Sequence, residues 1–222
     1  MGLMKNKFPK VSYKVMGQAE EAADSGKRLG IAFLISIILI VLTIALNFKS
    51  FYQARLILMV VPIGIFSAIL GHGIIGKPFS IMSVWGVIAL IGILVNDAVV
   101  MLDKYNRNIA EGMNMNDAVI SAGTSRFRAI ILTTITTFVG LFPLILEKSF
   151  QAQFLIPMAI SVAFGVLFGT IILLLYFPSL ILYFNDMRRA RWWLWRGGEN
   201  PPTKMEVEPY TKLQLRENQL VK

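Results

Sequence analysis

The sequence predicts an all-α membrane protein: five transmembrane helices and a short cytoplasmic amphipathic helix. Three observations lead there. Hydrophobic residues fill 55% of the 222 positions and charged residues only 16%, against about 25% charged in soluble domains. Mean hydropathy is +0.63. Five stretches are each apolar over the roughly 20 residues that a helix needs to cross a bilayer core.

Residues 1–28 are polar and hold six Lys/Arg. They lack the short apolar core and small-residue cleavage site of a signal peptide. The run FPKVSYKVMGQAEEAADSGKR reads as the last strand and linker of a larger extramembrane domain, so the chain reads as a piece of a longer protein. The membrane domain is expected over 29–184. Its first span is 29–48, LGIAFLISIILIVLTIALNF. The second, about 55–75, has Pro62 and Gly64 inside it, and the third is about 80–102. The fourth is about 128–146, and the fifth, about 153–184, is bounded by Pro157 and Pro178. At 1.5 Å per residue the fifth exceeds a core of about 30 Å and must tilt or project.

Between the third and fourth spans, charged residues alternate with Met113, Ala118, Val119 and Ile120. That pattern predicts the amphipathic helix on the cytoplasmic surface. The tail, 185–222, opens with RRARWWLWRGG. Aromatic and basic residues together can bind nucleic acid, but directly after a span they form an interfacial belt. Beyond Gly198 the polar, Pro-containing composition predicts disorder.

Orientation follows from the basic residues of the short loops. Lys49 and Arg55 follow the first span; Lys104, Arg107, Arg126 and Arg128 lie between the third and fourth; Arg188, Arg189, Arg191 and Arg196 follow the fifth. The opposite loops hold only Lys77 and Lys148. The positive-inside rule therefore puts 49–54, 103–127 and the tail in the cytoplasm. The net charge of +9 is accounted for by these loops against anionic lipid, and no nucleic-acid partner is expected. Residues 1–28 then lie outside, and their six basic residues run against the rule.

Chemistry concentrates in the third and fourth spans. Asp97 lies within SIMSVWGVIALIGILVNDAVVMLDKYN. A carboxylate near mid-membrane costs roughly 2.5–3.5 kcal/mol, which makes it a candidate for a proton or ion pathway. The competing reading is a structural hydrogen-bond partner for a Thr or Arg on another helix. Asn96 is its neighbour, but consecutive helical residues point about 100° apart. Small residues at Ser80, Ser83, Gly86, Ala89, Gly92 and Ala98 predict that this helix is central and closely packed. In the fourth span Thr133, Thr136 and Thr137 share one face at i, i+3, i+4, either as packing hydroxyls or as bridges to water and carboxylates. Arg126 and Arg128 sit at the mouth of this helix, where arginine also snorkels to headgroups.

Several chemistries are excluded or unsupported. Cysteine is absent, which removes disulfides and thiolate sites. His72, the single histidine, stands between two glycines and reads as a loop residue, so no metal site is expected. No phosphate-cradling glycine loop or nucleophile elbow is present. Neither an enzyme nor an ATPase is expected, no cofactor is implied, and transport would draw on an ion gradient.

The segments GQAEE, NFKSFYQARLILMVVPIGIFSAILG, GKPFSIMSVWGVIALIGILVNDAVVMLDKYN and EGMNMNDAVISAGTSRFRAIILTTITTFVGLFPLI follow one another in order. From about Gly17 to Tyr183 they resemble the resistance-nodulation-division (RND) multidrug efflux transporters of the acriflavin-resistance type. The resemblance implies the last five spans of such a transporter's second half, in a bacterial inner membrane. That family drives efflux with protons, through an Asp pair in the first half facing a Lys, Arg and Thr in the second. Carried over by position, Asn96 stands at the Lys, Arg126 at the relay Arg and Thr133 at the relay Thr. Neutral Asn96 departs from the pattern, with Asp97 following where Asn is common, and Ala129 replaces a common proline. The implied partners are the bilayer, the first half and periplasmic domain, two further copies in a homotrimer, a periplasmic adaptor, an outer-membrane channel and protons. Two other readings stand beside the exporter: a Sec accessory-type member of the same superfamily, whose ND-VV-D pattern is similar, and a non-transporting membrane anchor or sensor bundle.

Overall fold

The computed structural model describes residues 18–195 together with 203, 204, 208 and 211. The expectations for residues 1–17 and for the rest of the tail lie outside the described residues. Six helices cover residues 18–195: α1 (Gln18–Phe48), α2 (Phe51–Leu58), α3 (Val60–Ile75), α4 (Ile81–Ala110), α5 (Met115–Leu146) and α6 (Phe150–Trp195). Five segments are long and apolar enough to cross a membrane; α2 and α3 together form one of them. The five expected spans are all there.

The helices overrun the spans read from hydropathy. A hydropathy window finds only the stretch that lipid can bathe, whereas helical hydrogen bonding continues into water and headgroups. Thus α1 starts at Gln18 and α6 ends at Trp195. The amphipathic stretch expected as a separate surface helix is divided instead. Its first residues continue α4 to Ala110, and a turn at Gly112 (φ 84°) follows. Its remainder is the opening of α5, continuous with the fourth span to Leu146. Asn108 supports the turn by donating its side-chain amide to the Ala118 carbonyl at 3.1 Å. The second span carries the opposite difference. Ser50 caps α2, its Oγ 3.5 Å from the Gln53 amide. A junction at Met59 follows, and Pro62 then sits in the first turn of α3, where its missing N–H costs nothing.

Chain contacts divide the molecule into two units, Met1–Ile37 and Ile38–Lys222. In the described part of the first, Ile31, Leu34 and Ile35 of α1 are exposed. In the second, α3, α4 and α5 each pack on α6. The buried residues of α6 run from Ala152 to Asn185. Glycine sets how closely these helices approach. A Cβ at Gly169 of α6 would lie 2.8 Å from Leu94 Cδ1 of α4, and one at Gly165 would collide with Leu90. Leu90 and Leu94 are fully buried and stand one turn apart, so the Gly165–Gly169 pair forms a groove for that ridge. A Cβ at Gly86 of α4 would lie 2.6 Å from the Met158 carbonyl oxygen. In lipid, where apolar surface gains little by leaving its solvent, such close backbone approach is what holds helices together. Gly86 was among the small residues expected to serve this way; Gly165 and Gly169 were not.

Pro157 and Pro178 do not bound α6 but lie inside it. Proline is tolerated within spans; Pro178 leaves the Leu174 carbonyl without its helical donor, and next to it Ser179 Oγ donates to the Leu175 carbonyl at 3.1 Å. The helix ends with Trp193 and Trp195 exposed beside the Arg188–Arg191 cluster, the arrangement of an interfacial belt.

Candidate functional site

The face of α4 that packs inward is drawn by Val87, Leu90, Leu94, Ala98, Met101 and Tyr105, all buried. Their spacing fixes where the polar pair points. Asp97 lies at the edge of this face and is half-buried, whereas Asn96, 100° further round, is exposed. Asn96 shares its side of the helix with exposed Gly92, where an added Cβ would meet nothing within 4 Å. Asp97 makes no hydrogen bond or ion pair among the described residues, with Arg126 or any other. Arg126 is half-buried near the start of the apolar part of α5.

On α5, Arg126, Thr133 and Gly140 are spaced by seven residues and so lie about 20° apart. Thr133 and Thr136 are exposed on this side, and each hydroxyl bonds back to its own helix. Thr133 Oγ1 donates to the Ile130 carbonyl at 2.8 Å, and Thr136 Oγ1 to the Leu132 carbonyl at 2.9 Å. Back-bonding removes most of the cost of a hydroxyl in lipid while leaving its oxygen able to accept. The other exposed face of α5 is apolar, with Leu132, Ile135, Val139 and Leu146. The helix therefore presents two free sides: one aliphatic, fitted to lipid, and one of Arg, Thr and Gly, fitted to protein or water.

The hydroxyl buried between helices is that of Thr134, which the sequence did not single out. Its Oγ1 donates to Thr170 Oγ1 of α6 at 3.0 Å, and both residues are buried. The signal that could have found it is its position one turn after Ile130, the buried residue that marks the inward face. His72 is a second correction. It lies in the last turn of α3, not in a loop, and is buried. Its Nδ1 stands 3.1 Å from the Lys77 carbonyl, which can only accept, so Nδ1 carries the proton. Its Nε2 stands 3.0 Å from Ser161 Oγ on α6. With both nitrogens engaged, His72 ties the end of α3 to α6. At the opposite end of the bundle Gln53 and Asn106, both buried, exchange two side-chain amide bonds of 2.8 and 3.0 Å between α2 and α4.

A sequence profile of the AcrB/AcrD/AcrF family matches residues 2–185. The chain belongs to that family. It is thus a multi-pass membrane protein of the bacterial RND efflux transporter family and not an enzyme. Among its relatives is the swarming motility protein SwrC of Bacillus subtilis (strain 168), 31% identical over 182 residues, which cover 82% of this chain and 17% of that protein. The multidrug resistance protein MdtC of Proteus mirabilis (strain HI4320) is 29% identical over 177 residues, covering 79% of the chain and 17% of that protein. A crystal structure of a heavy metal efflux pump superposes with a TM-score of 0.65 at 24% identity, covering 82% of this chain and 19% of that one; this likeness is one of fold. The chain spans about one-sixth of the length of the curated relatives it matches.

Proposed function

We propose that this RND-family chain forms the second-half membrane bundle of a proton-driven exporter of drugs or other amphiphilic compounds. In this reading residues 1–28 close an extramembrane domain, 29–184 cross the inner membrane and 185–222 lie in the cytoplasm. The bundle works with a first half carrying the acidic pair, in a homotrimer joined to a periplasmic adaptor and an outer-membrane channel.

The supporting observation is the placement of Asn96 and of the Arg126–Thr133 stripe. Polar side chains within membrane helices ordinarily face protein or a water-filled cavity. On these sides of α4 and α5, Asn96 and Thr133 are exposed and Arg126 is half-buried. A first half docked on those sides would set its carboxylates against an amide, a guanidinium and a hydroxyl acceptor. Asn96 cannot carry the positive charge of the family's lysine, so Arg126 is the cation left on this surface to answer protonation of the acid pair. In this reading Asp97, half-buried and without a hydrogen bond or ion pair among the described residues, enters the same network.

The test is export by a complete transporter containing this segment. Arg126→Ala and Thr133→Ala should reduce proton-driven dye efflux from cells to the level of cells lacking the transporter, at unchanged membrane abundance. Near-normal efflux in both variants would overturn the coupling role.

A further inference from the structure

A cavity of about 600 Å³ opens where α2 and the start of α3 meet the last turns of α6. Arg55, Arg188, Arg191 and Tyr52 line it, with Met59 and Pro62 among its apolar walls. Among the described residues no carboxylate lines it. Asp186 is turned to Arg189 and Lys204, each at 3.9 Å, and Glu208 accepts from Tyr105 Oη at 3.2 Å. Even counting Glu208, whose charge reaches Tyr52, positive charge is in excess. Three guanidiniums around one hollow repel one another unless an anion lies between them.

Two further details point the same way. The Arg188 guanidinium is held 4.5 Å over the Tyr52 ring, which fixes its plane. Arg188 and Tyr52 Oη interact with each other, and Arg188 Nη1 and Tyr52 Oη are buried with no further hydrogen-bond partner among the described residues, whereas buried donors in native proteins are nearly always satisfied. The cavity also sits at the level where exposed Trp193 and Trp195 mark the headgroup zone. Basic pockets between helix ends at this depth suit phosphate-bearing headgroups. Arginine binds phosphate oxygens in bidentate fashion, and the apolar walls suit the glycerol and first methylenes below it.

We propose that this cavity is a binding site for an anionic phospholipid, with the phosphate held by Arg55, Arg188 and Arg191 and the lipid backbone against Met59 and Pro62. The occupant is a lipid rather than free phosphate because the cavity is walled by apolar side chains and opens at a helix end within the headgroup zone.

The test is native mass spectrometry of the full chain released from nanodiscs of phosphatidylcholine and phosphatidylglycerol in equal parts. The chain should retain phosphatidylglycerol in preference to phosphatidylcholine. Arg55→Gln, Arg188→Gln and Arg191→Gln should each weaken that retention by roughly ten-fold, the loss of one charge-assisted bond to the phosphate. Arg128→Gln, an equal loss of charge on exposed α5 surface away from the cavity, should leave it unchanged. Met59→Trp keeps every charge but fills the hollow, and it should also expel the lipid; it carries the test if an arginine variant fails to insert. Equal retention of both lipids, equal loss in Arg128→Gln, or full displacement by millimolar inorganic phosphate would each overturn the proposal.

Discussion

Thr134 and Thr170 share a hydrogen bond of 3.0 Å across the buried seam between α5 and α6, whereas Thr133, one residue earlier, bonds only to its own helix. Neighbouring threonines thus belong to different tasks. Thr134→Val should destabilise the bundle by about 1 kcal/mol, and a double-mutant cycle with Thr170→Val should recover a coupling near 0.6 kcal/mol, the usual worth of such a bond in a membrane. Thr133→Val should leave stability almost unchanged. Unfolding from mixed micelles measures both, and equal losses for the two threonines would contradict the assignment.

Gly86 faces a backbone carbonyl, which cannot move aside as a side chain can. Gly86→Ala should therefore cost more than Gly92→Ala, whose Cβ would meet open space. About 1–3 kcal/mol is expected for the first, as for other overpacked sites. Gly169→Ala should be partly rescued by Leu94→Ala, because the obstacle there is Leu94 itself. A purely additive double variant would show that the seam relaxes in another way.

Asp97 has two available roles, and one substitution separates them. Asp97→Asn preserves size and hydrogen bonding and removes the charge. If the carboxylate takes part in coupling, a complete transporter with Asp97→Asn should insert normally and lose proton-driven efflux. Near-normal drug resistance would confine Asp97 to structure, with Arg126 and Thr133 left to carry coupling.

The absence of cysteine makes the orientation directly measurable. Lys77 and Glu111 are both exposed, in loops at opposite ends of the bundle. An impermeant thiol reagent added to intact cells should label Lys77→Cys and spare Glu111→Cys until the membrane is opened. The reverse pattern would invert the proposed topology.

Glu147 supplies a pH-dependent contact outside the spans. Its carboxylate accepts from the Ser149 and Lys148 backbone amides at 3.0 and 2.9 Å. The amide of Ser149 first, then that of Lys148, holds its pKa below the ordinary value. A group whose folded pKa is depressed stabilises the folded form above its unfolded pKa and loses that contribution as pH falls through the folded value. The α5–α6 turn should therefore tighten above about pH 4.5, the ordinary value, and loosen in acid. Amide exchange at Lys148 and Ser149, corrected for intrinsic rates, should show this change in wild type and none in Glu147→Gln.

The spans were legible because hydropathy reports on lipid contact, and lipid contact is most of what a bundle of this size presents. What escaped was which side of each helix turns inward. In TTITT three threonines share a face by spacing, yet the inward direction is set by Ile130 and by α6, far away in sequence. Thr134 is therefore the buried one. Likewise His72 between glycines resembled a loop, because its two partners, Lys77 and Ser161, are brought to it only by the turn at Gly76 and the packing of α3 on α6. The helix ends were missed for a different reason: polar residues that continue a helix into water have no hydropathic signature. The placement of Asn96 was half legible, since adjacent residues must diverge by 100°, but the sequence alone did not say which of the two would face outward.

The seam of Gly165 and Gly169 against Leu90 and Leu94 has a mechanical consequence. Helices separated by larger side chains can slide as those side chains change rotamer. Here backbone lies almost against side chain, with no slack to be taken up, and His72 and Thr134 fasten α3 and α5 to the same central helix. These contacts oppose sliding of α3, α4 and α5 along α6. In the proposed transporter, movement of the missing half would then fall on the outer surfaces of this bundle, where Asn96 and Thr133 are exposed.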